Sequence, residues 1–157
     1  MVFSVTIWAV NMPIISSGDS DYNELLVAIR NRVNNAYDTN DLPDIVIAGR
    51  AYLGEANAKV AALVPNYAAL SVDLLSRLKD AVVYQAAIEL LLSESRLVSE
   101  DVEASEVARY QSLDIEKTIM RYEDNINLIV SQVLSVGSVT LTGFAGIFCV
   151  TNPTKRF

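Results

Sequence analysis

The chain contains no histidine, and that absence excludes more chemistry than any residue present suggests. Without imidazole there is no Ser–His–Asp or Cys–His catalysis, no histidine-based metal site and no ordinary proton shuttle near neutral pH. A single cysteine, Cys149, rules out an intrachain disulfide. Its neighbours Ile147, Phe148 and Val150 mark it as a buried thiol rather than a reactive one. Positive charge is also scarce, with 12 Lys and Arg against 19 Asp and Glu and a formal net charge of −7. That balance argues against a phosphate-neutralising patch for nucleic acid. An acidic surface repels DNA, which suits a conduit better than a grip. No run reaches the roughly 20 apolar residues that span a bilayer, since Val136 to Val150 is short and interrupted by Gly137, Gly143 and Gly146. The start lacks the basic residues of a secretory signal, and the sequence reads as a soluble protein made in a cytoplasm. Neither GxGxxG nor a P-loop occurs, so nucleotide binding by those routes is out.

Charge is missing from both ends as well. Apart from Lys155 and Arg156, every charged residue lies between Asp19 and Asp124. Segments of this kind, rich in Val, Ile, Phe and Trp, must bury themselves on something. With 157 residues and 52 % hydrophobic composition, the chain has the core of one domain. The excess points to an obligate oligomer whose interfaces resemble a divided core.

Phe3, Val5, Ile7 and Ala9 alternate with Ser4, Thr6 and Trp8, the period of a strand, and Pro13 with Ser16–Ser17–Gly18 ends it. Asp19, Ser20 and Asp21 stand where a helix cap belongs, with Glu24 spaced as in a capping box. Leu25, Leu26, Ile29 and Val33 then share one face, so a helix is expected over 21–37. Asp38 to Asp41 breaks it. Pro43 suits the first position of the next short helix, which Gly49 cuts. A second full helix begins near 52–55, with Ala56, Val60 and Leu63 on one face, and stops before Pro65. A third is expected over 71–94, with Leu74, Leu78, Ala81, Ile88 and Leu92 on one face and Val83, Ala87 and Leu90 on a second. Its later half is apolar nearly all round, which marks a central helix. Asp73 and Arg77 are spaced for an i,i+4 pair. Residues 96–106 read as an acidic loop or edge. A fourth helix over 112–134 repeats Ile115, Ile119, Tyr122, Ile126, Ile129 and Val133 at alternating spacings of four and three, a packing seam, and Gly137 stops it. Val139 and Leu141 resume alternation, and Gly143–Phe144–Ala145–Gly146 can turn a hairpin back through Ile147, Phe148 and Val150. The expected fold is mainly α: a small four-helix bundle over 19–136 with extended, β-like arms at 1–18 and 137–157.

Candidate chemistry is thin. Glu100, Asp101, Glu103 and Glu106 cluster, but their polar surroundings make them a solvated charge run rather than an acid and base pair. Asp19, Asp21 and Glu24 lack the twelve-residue calcium loop, and helix capping explains them. Tyr52, Tyr67, Tyr84 and Tyr122 fall at helical spacings without a basic partner set, so core or interface packing is expected over base stacking. Trp8 in the charge-free start is an aromatic anchor for a subunit contact or for the core. No cofactor, metal or catalytic residue is expected.

Asp41–Leu42–Pro43–Asp44, then Ile45–Val46–Ile47 and Ala51–Tyr52–Leu53–Gly54–Glu55–Ala56, resembles the head–tail connector (adaptor) proteins of tailed bacteriophages. The likeness continues through Leu78–Lys79–Asp80–Ala81–Val82–Val83–Tyr84–Gln85–Ala86–Ala87 and covers about residues 21–134. The resemblance implies a small helical bundle with extended arms and no enzymatic activity. It implies about twelve copies in a ring below the portal, extending the DNA channel and joining head to tail at the virion neck after assembly in the host cytoplasm. The partners are then the chain itself, the portal and a tail-side protein, with DNA passing through without sequence-specific binding and no membrane involved. The Asp41–Asp44 turn becomes a fold determinant. Edge-strand addition makes Val139, Leu141, Phe144, Ile147, Phe148 and Val150, with Phe3, Val5, Ile7 and Trp8, the expected partner-binding residues. Another neck or tail-completion protein of similar build is the nearest alternative, and a small carboxylate-dependent enzyme is a further one.

Overall fold

A computed structural model describes residues 12–101 and 106–141, with side chains described over 12–93 and 114–136. The protein is mainly helical, and among the described residues there is no strand. The helices are α1 (Tyr22–Val33), α2 (Asp44–Ile47), α3 (Glu55–Leu63), α4 (Val72–Asp101) and α5 (Glu106–Leu141), with a π-helical turn at Arg50–Gly54 and a 3-10 turn at Tyr67–Ala69.

The first helix stops at Val33, four residues short of the expected end. Asn34 is extended (φ −157°, ψ 121°), and its side-chain oxygen accepts the Ala36 N–H at 2.9 Å. An asparagine amide competes with the helix ladder for backbone donors in this way. Asp38 then organises the loop, its Oδ1 accepting the N–H groups of Asn40 (2.7 Å) and Asp41 (3.1 Å). Those two donors hold its carboxyl below the ordinary carboxylate range. The chain passes into buried Leu42 and Pro43, which precedes α2 by one residue rather than opening it.

Gly49 is a residue with no room for a side chain, because a Cβ there would lie 2.9 Å from the Val46 carbonyl oxygen. The Gly54 N–H bonds five residues back to the Gly49 carbonyl (3.2 Å). This π turn brings Leu53 into the core and sets the phase of α3. The buried row of α3 is Ala56, Asn57 and Val60, with Val64 just beyond it, while Leu63, expected on that face, is 48 % exposed. Asn57 takes the inward position because it has a partner there, described below.

The fourth helix is the centre of the fold, as its all-round apolar later half implies. α1, α3, α5 and the π turn all pack on it, and Leu78, Ala81, Val82, Val83, Ala86, Ala87, Ile88, Leu90 and Leu91 are buried. The seam of α5 packs as its spacing suggests: Tyr122, Ile126 and Val133 are buried, and Ile115, Ile119 and Ile129 are half-buried against the core. Arg77 donates to Gln132 Oε1 of α5 at 3.2 Å, in place of the expected pair with Asp73.

Three boundaries differ from expectation. α4 continues through Asp101 and α5 begins at Glu106, so the segment 96–106 is largely helical backbone rather than loop. Residues 66–136 contain neither glycine nor proline, so nothing local stops a helix there. α5 also runs through Gly137 to Leu141. One interior glycine costs a helix only about 1 kcal/mol, so the expected arm does not begin at 137, and Val139 and Leu141 are helical rather than extended. At the other end, Ile14 and Ile15 are core residues. The body therefore includes residues before 19.

Candidate functional site

The segment 12–21 forms a strap held to α3, α4 and the 3-10 turn by polar contacts on both sides of its two buried isoleucines. The Ile15 N–H donates to Asn57 Oδ1 (2.9 Å), and its carbonyl accepts from Asn57 Nδ2 (3.2 Å). One side-chain amide thus satisfies both backbone groups, as a neighbouring strand would. That need explains a buried asparagine on an otherwise apolar helix face. The Tyr67 hydroxyl donates to the Met12 carbonyl.

At the strap's other end, Lys79 Nζ of α4 meets Asp19 Oδ2 (3.0 Å) and Asp21 Oδ1 (2.9 Å). The expected capping role is therefore not what these carboxylates do, and Asp21 makes no side-chain cap bond to α1. Burial raises the Asp19 carboxyl, but the Ser16 N–H and Lys79 outweigh it and leave it below its ordinary 3.8. Burial likewise lowers Lys79, but Asp21 and Asp19 outweigh it and leave it above 10.5. The Asp19 contribution is present above the unfolded-state value near 3.8 and is lost as pH falls through the lower folded value. The Lys79 contribution is present below 10.5 and is lost as pH rises through the raised folded value. Lys79→Met is expected to cost about 1 kcal/mol at neutral pH. Urea unfolding should show wild type and variant converging as pH falls below 3.8. A gap unchanged with pH would mean that the ion pair contributes nothing.

Between strap and α3 lies an open groove of about 500 Å³. It is lined by Gly54, Ala58, Ala61 and Ala62 of the π turn and α3, with Met12 and Pro13 as the wall on the strap side. Pro65 and Tyr67 complete the lining with Asn57, and no lining residue is ionisable in the neutral range. The Asn57 amide and the Tyr67 hydroxyl are already engaged with the strap. The groove therefore offers apolar contact over small side chains, and no nucleophile, acid or base. Met12 on its rim is 67 % exposed.

The tyrosines do pack as expected, yet two have a basic companion that their spacing did not reveal, the Arg121 guanidinium lying 5.6 Å from the Tyr122 centroid. Tyr84 and Tyr122 lie with ring centroids 5.2 Å apart, and the Arg32 guanidinium sits 4.5 Å from the Tyr84 centroid. The Tyr122 hydroxyl donates to the Arg32 carbonyl (2.8 Å), and the Tyr52 hydroxyl lies 3.2 Å from Ser93 Oγ. The Tyr84 and Tyr122 contacts tie α1, α4 and α5 together, and the Tyr52 contact ties the π turn to α4.

Of the expected partner-binding residues, Phe3, Val5, Ile7, Trp8, Phe144, Ile147, Phe148 and Val150 lie outside the described residues, as does Cys149. For Val139 and Leu141 only the helical backbone is described. Glu100 and Asp101 lie at the end of α4 and Glu106 at the start of α5, and Glu103 lies outside the described residues. Among the described residues there is no cluster of three or more acidic, Cys or His side chains able to hold a metal, and no helix long and apolar enough to cross a membrane. No family model, curated protein or solved structure matches the chain.

Proposed function

We propose that the protein is a structural adaptor that forms an oligomeric ring below a phage portal, extends the DNA channel and joins head to tail. The observation that carries this reading is the exposed, uncharged groove beside the strap. It is a surface fit for protein contact, on an acidic molecule whose charge-free segments need such contacts. The resemblance of residues 41–56 and 78–87 to connector proteins supplies the kind of assembly. The role of the Asp41–Asp44 turn agrees with it, since Leu42 is buried and the turn is bound to α1 through Arg30.

In this reading α1, α3, α4 and α5 form a four-helix bundle that is the body of each ring subunit, and the residues before 12 and after 141 are its arms. The acidic body lines or flanks the channel and lets DNA pass without gripping it. Phe144, Ile147, Phe148 and Val150 supply the contact to the portal or to a neighbouring subunit.

The test is to mix purified protein with portal rings and follow co-sedimentation and particle images. Wild type is expected to add a layer to the portal, and Phe144→Asp with Phe148→Asp to abolish it while leaving the helical spectrum intact. A wild-type protein that ignores portals and tail components would remove the adaptor reading.

A further inference from the structure

We infer that the groove between the strap and α3 is the seat for residues 1–11 of a second copy of this chain, so that copies join segment to groove, head to tail. Four observations converge on that occupant. The groove's lining is wholly uncharged, and so are residues 1–11, MVFSVTIWAVN. Its lining of glycine and alanine leaves room beside α3 for a large side chain, which the segment carries in Trp8. Its volume of about 500 Å³ falls within the range of sites that bury a ligand of several side chains. And the segment departs from the groove's own rim, because Met12 and Pro13 are its wall.

The last point also separates a neighbour from the same copy. Pro13 disfavours the helical region at Met12 and keeps the chain extended there, directing it onward rather than back over the wall it forms. Residues 1–11 contain no glycine or proline and alternate in the manner of a strand. Extended, eleven residues reach up to about 40 Å, enough to cross to an adjacent molecule. Because segment and groove are different surfaces, the contact is heterologous. Repeated, it either closes a ring or propagates a filament. The seating argument does not use the portal; only the closure into a ring rests on the adaptor reading above.

The chain's single tryptophan is Trp8, so the segment carries its own probe. Wild type is expected to self-associate on concentration, with Trp8 emission shifting to the blue as mass rises. Ala58→Arg places a charge in the groove at an exposed position of α3, and Trp8→Asp places one in the segment. Each is expected to weaken self-association about a hundredfold or more with an unchanged helical spectrum. Mixed one to one, the two variants should form a pair and nothing larger, since only the intact segment of Ala58→Arg can enter the intact groove of Trp8→Asp. The sole tryptophan in that mixture should then shift to the blue. Pairing without portal binding would keep the groove assignment and overturn the adaptor reading. Assembly unaffected by Ala58→Arg would overturn the groove assignment, while the adaptor reading is read separately by portal binding. Emission that is blue at every dilution, in a monomer, would place the segment on its own copy and overturn the inference.

Discussion

Tyr122→Ala is expected to lower the free energy of unfolding by about 3–5 kcal/mol, the usual range for removing a buried aromatic side chain. Tyr122 is 7 % exposed and sits where three helices meet. Its ring lies against Tyr84 of α4, and its hydroxyl reaches across to the Arg32 carbonyl of α1. Removing the ring deletes burial, the aromatic pair and the hydrogen bond at once, and it leaves Tyr84 with Arg32 as its remaining ring neighbour. A domain of this size has about 5–15 kcal/mol in total, so the variant should approach the edge of folding at elevated temperature. Tyr122→Phe separates the terms. It keeps the ring and loses the hydroxyl, for about 1 kcal/mol. Urea unfolding of both variants measures the difference. A Tyr122→Ala cost near that of Tyr122→Phe would mean that α5 is held by its aliphatic seam alone.

That seam was legible from sequence because Ile115 to Val133 repeats at a spacing only a packed helix explains. The centrality of α4 was legible for a similar reason, since a stretch apolar on all sides has no face left for water. The features without a sequence signal share a different physical character. Ile14 and Ile15 stand between Pro13 and Ser16–Ser17–Gly18, which punctuate a linker. Two isoleucines carry no period, and only the Asn57 amide, 42 residues away, makes their burial possible. Asp19 and Asp21 look like helix caps because capping is local and Lys79 is not. Gly137 looked like a stop, but the absence of glycine and proline over 66–136 was the stronger statement about how far two helices run. The groove was invisible because its character lies in what three segments jointly lack. Small residues on α3 read merely as a weak apolar face until the strap and Tyr67 enclose them.

Arg30 is the residue on which the Asp41–Asp44 turn depends, and Arg30→Met is expected to destabilise the protein by about 2–4 kcal/mol. Its guanidinium is buried, with the residue only 4 % exposed. Nε donates to the Leu42 carbonyl at 2.9 Å, and Nη2 pairs with Asp44 Oδ1. Methionine keeps most of the aliphatic packing, so the loss reports the polar fork. The two partners are unequal. Asp44 has a side chain 52 % exposed and can return to water, so Asp44→Ala should cost only about 1 kcal/mol. The Leu42 carbonyl, beside a buried side chain, loses a partner that water replaces poorly. Arg30→Lys should fail to rescue, because one ammonium cannot present two donors in the fixed fork that reaches carbonyl and carboxylate together. The turn also sets where α2 presents Ile45, 83 % exposed, so loosening it should weaken any assembly that uses this corner beyond what lost stability explains. Equal stability of Arg30→Lys and wild type, with self-association unchanged, would show that the turn holds its shape without the fork.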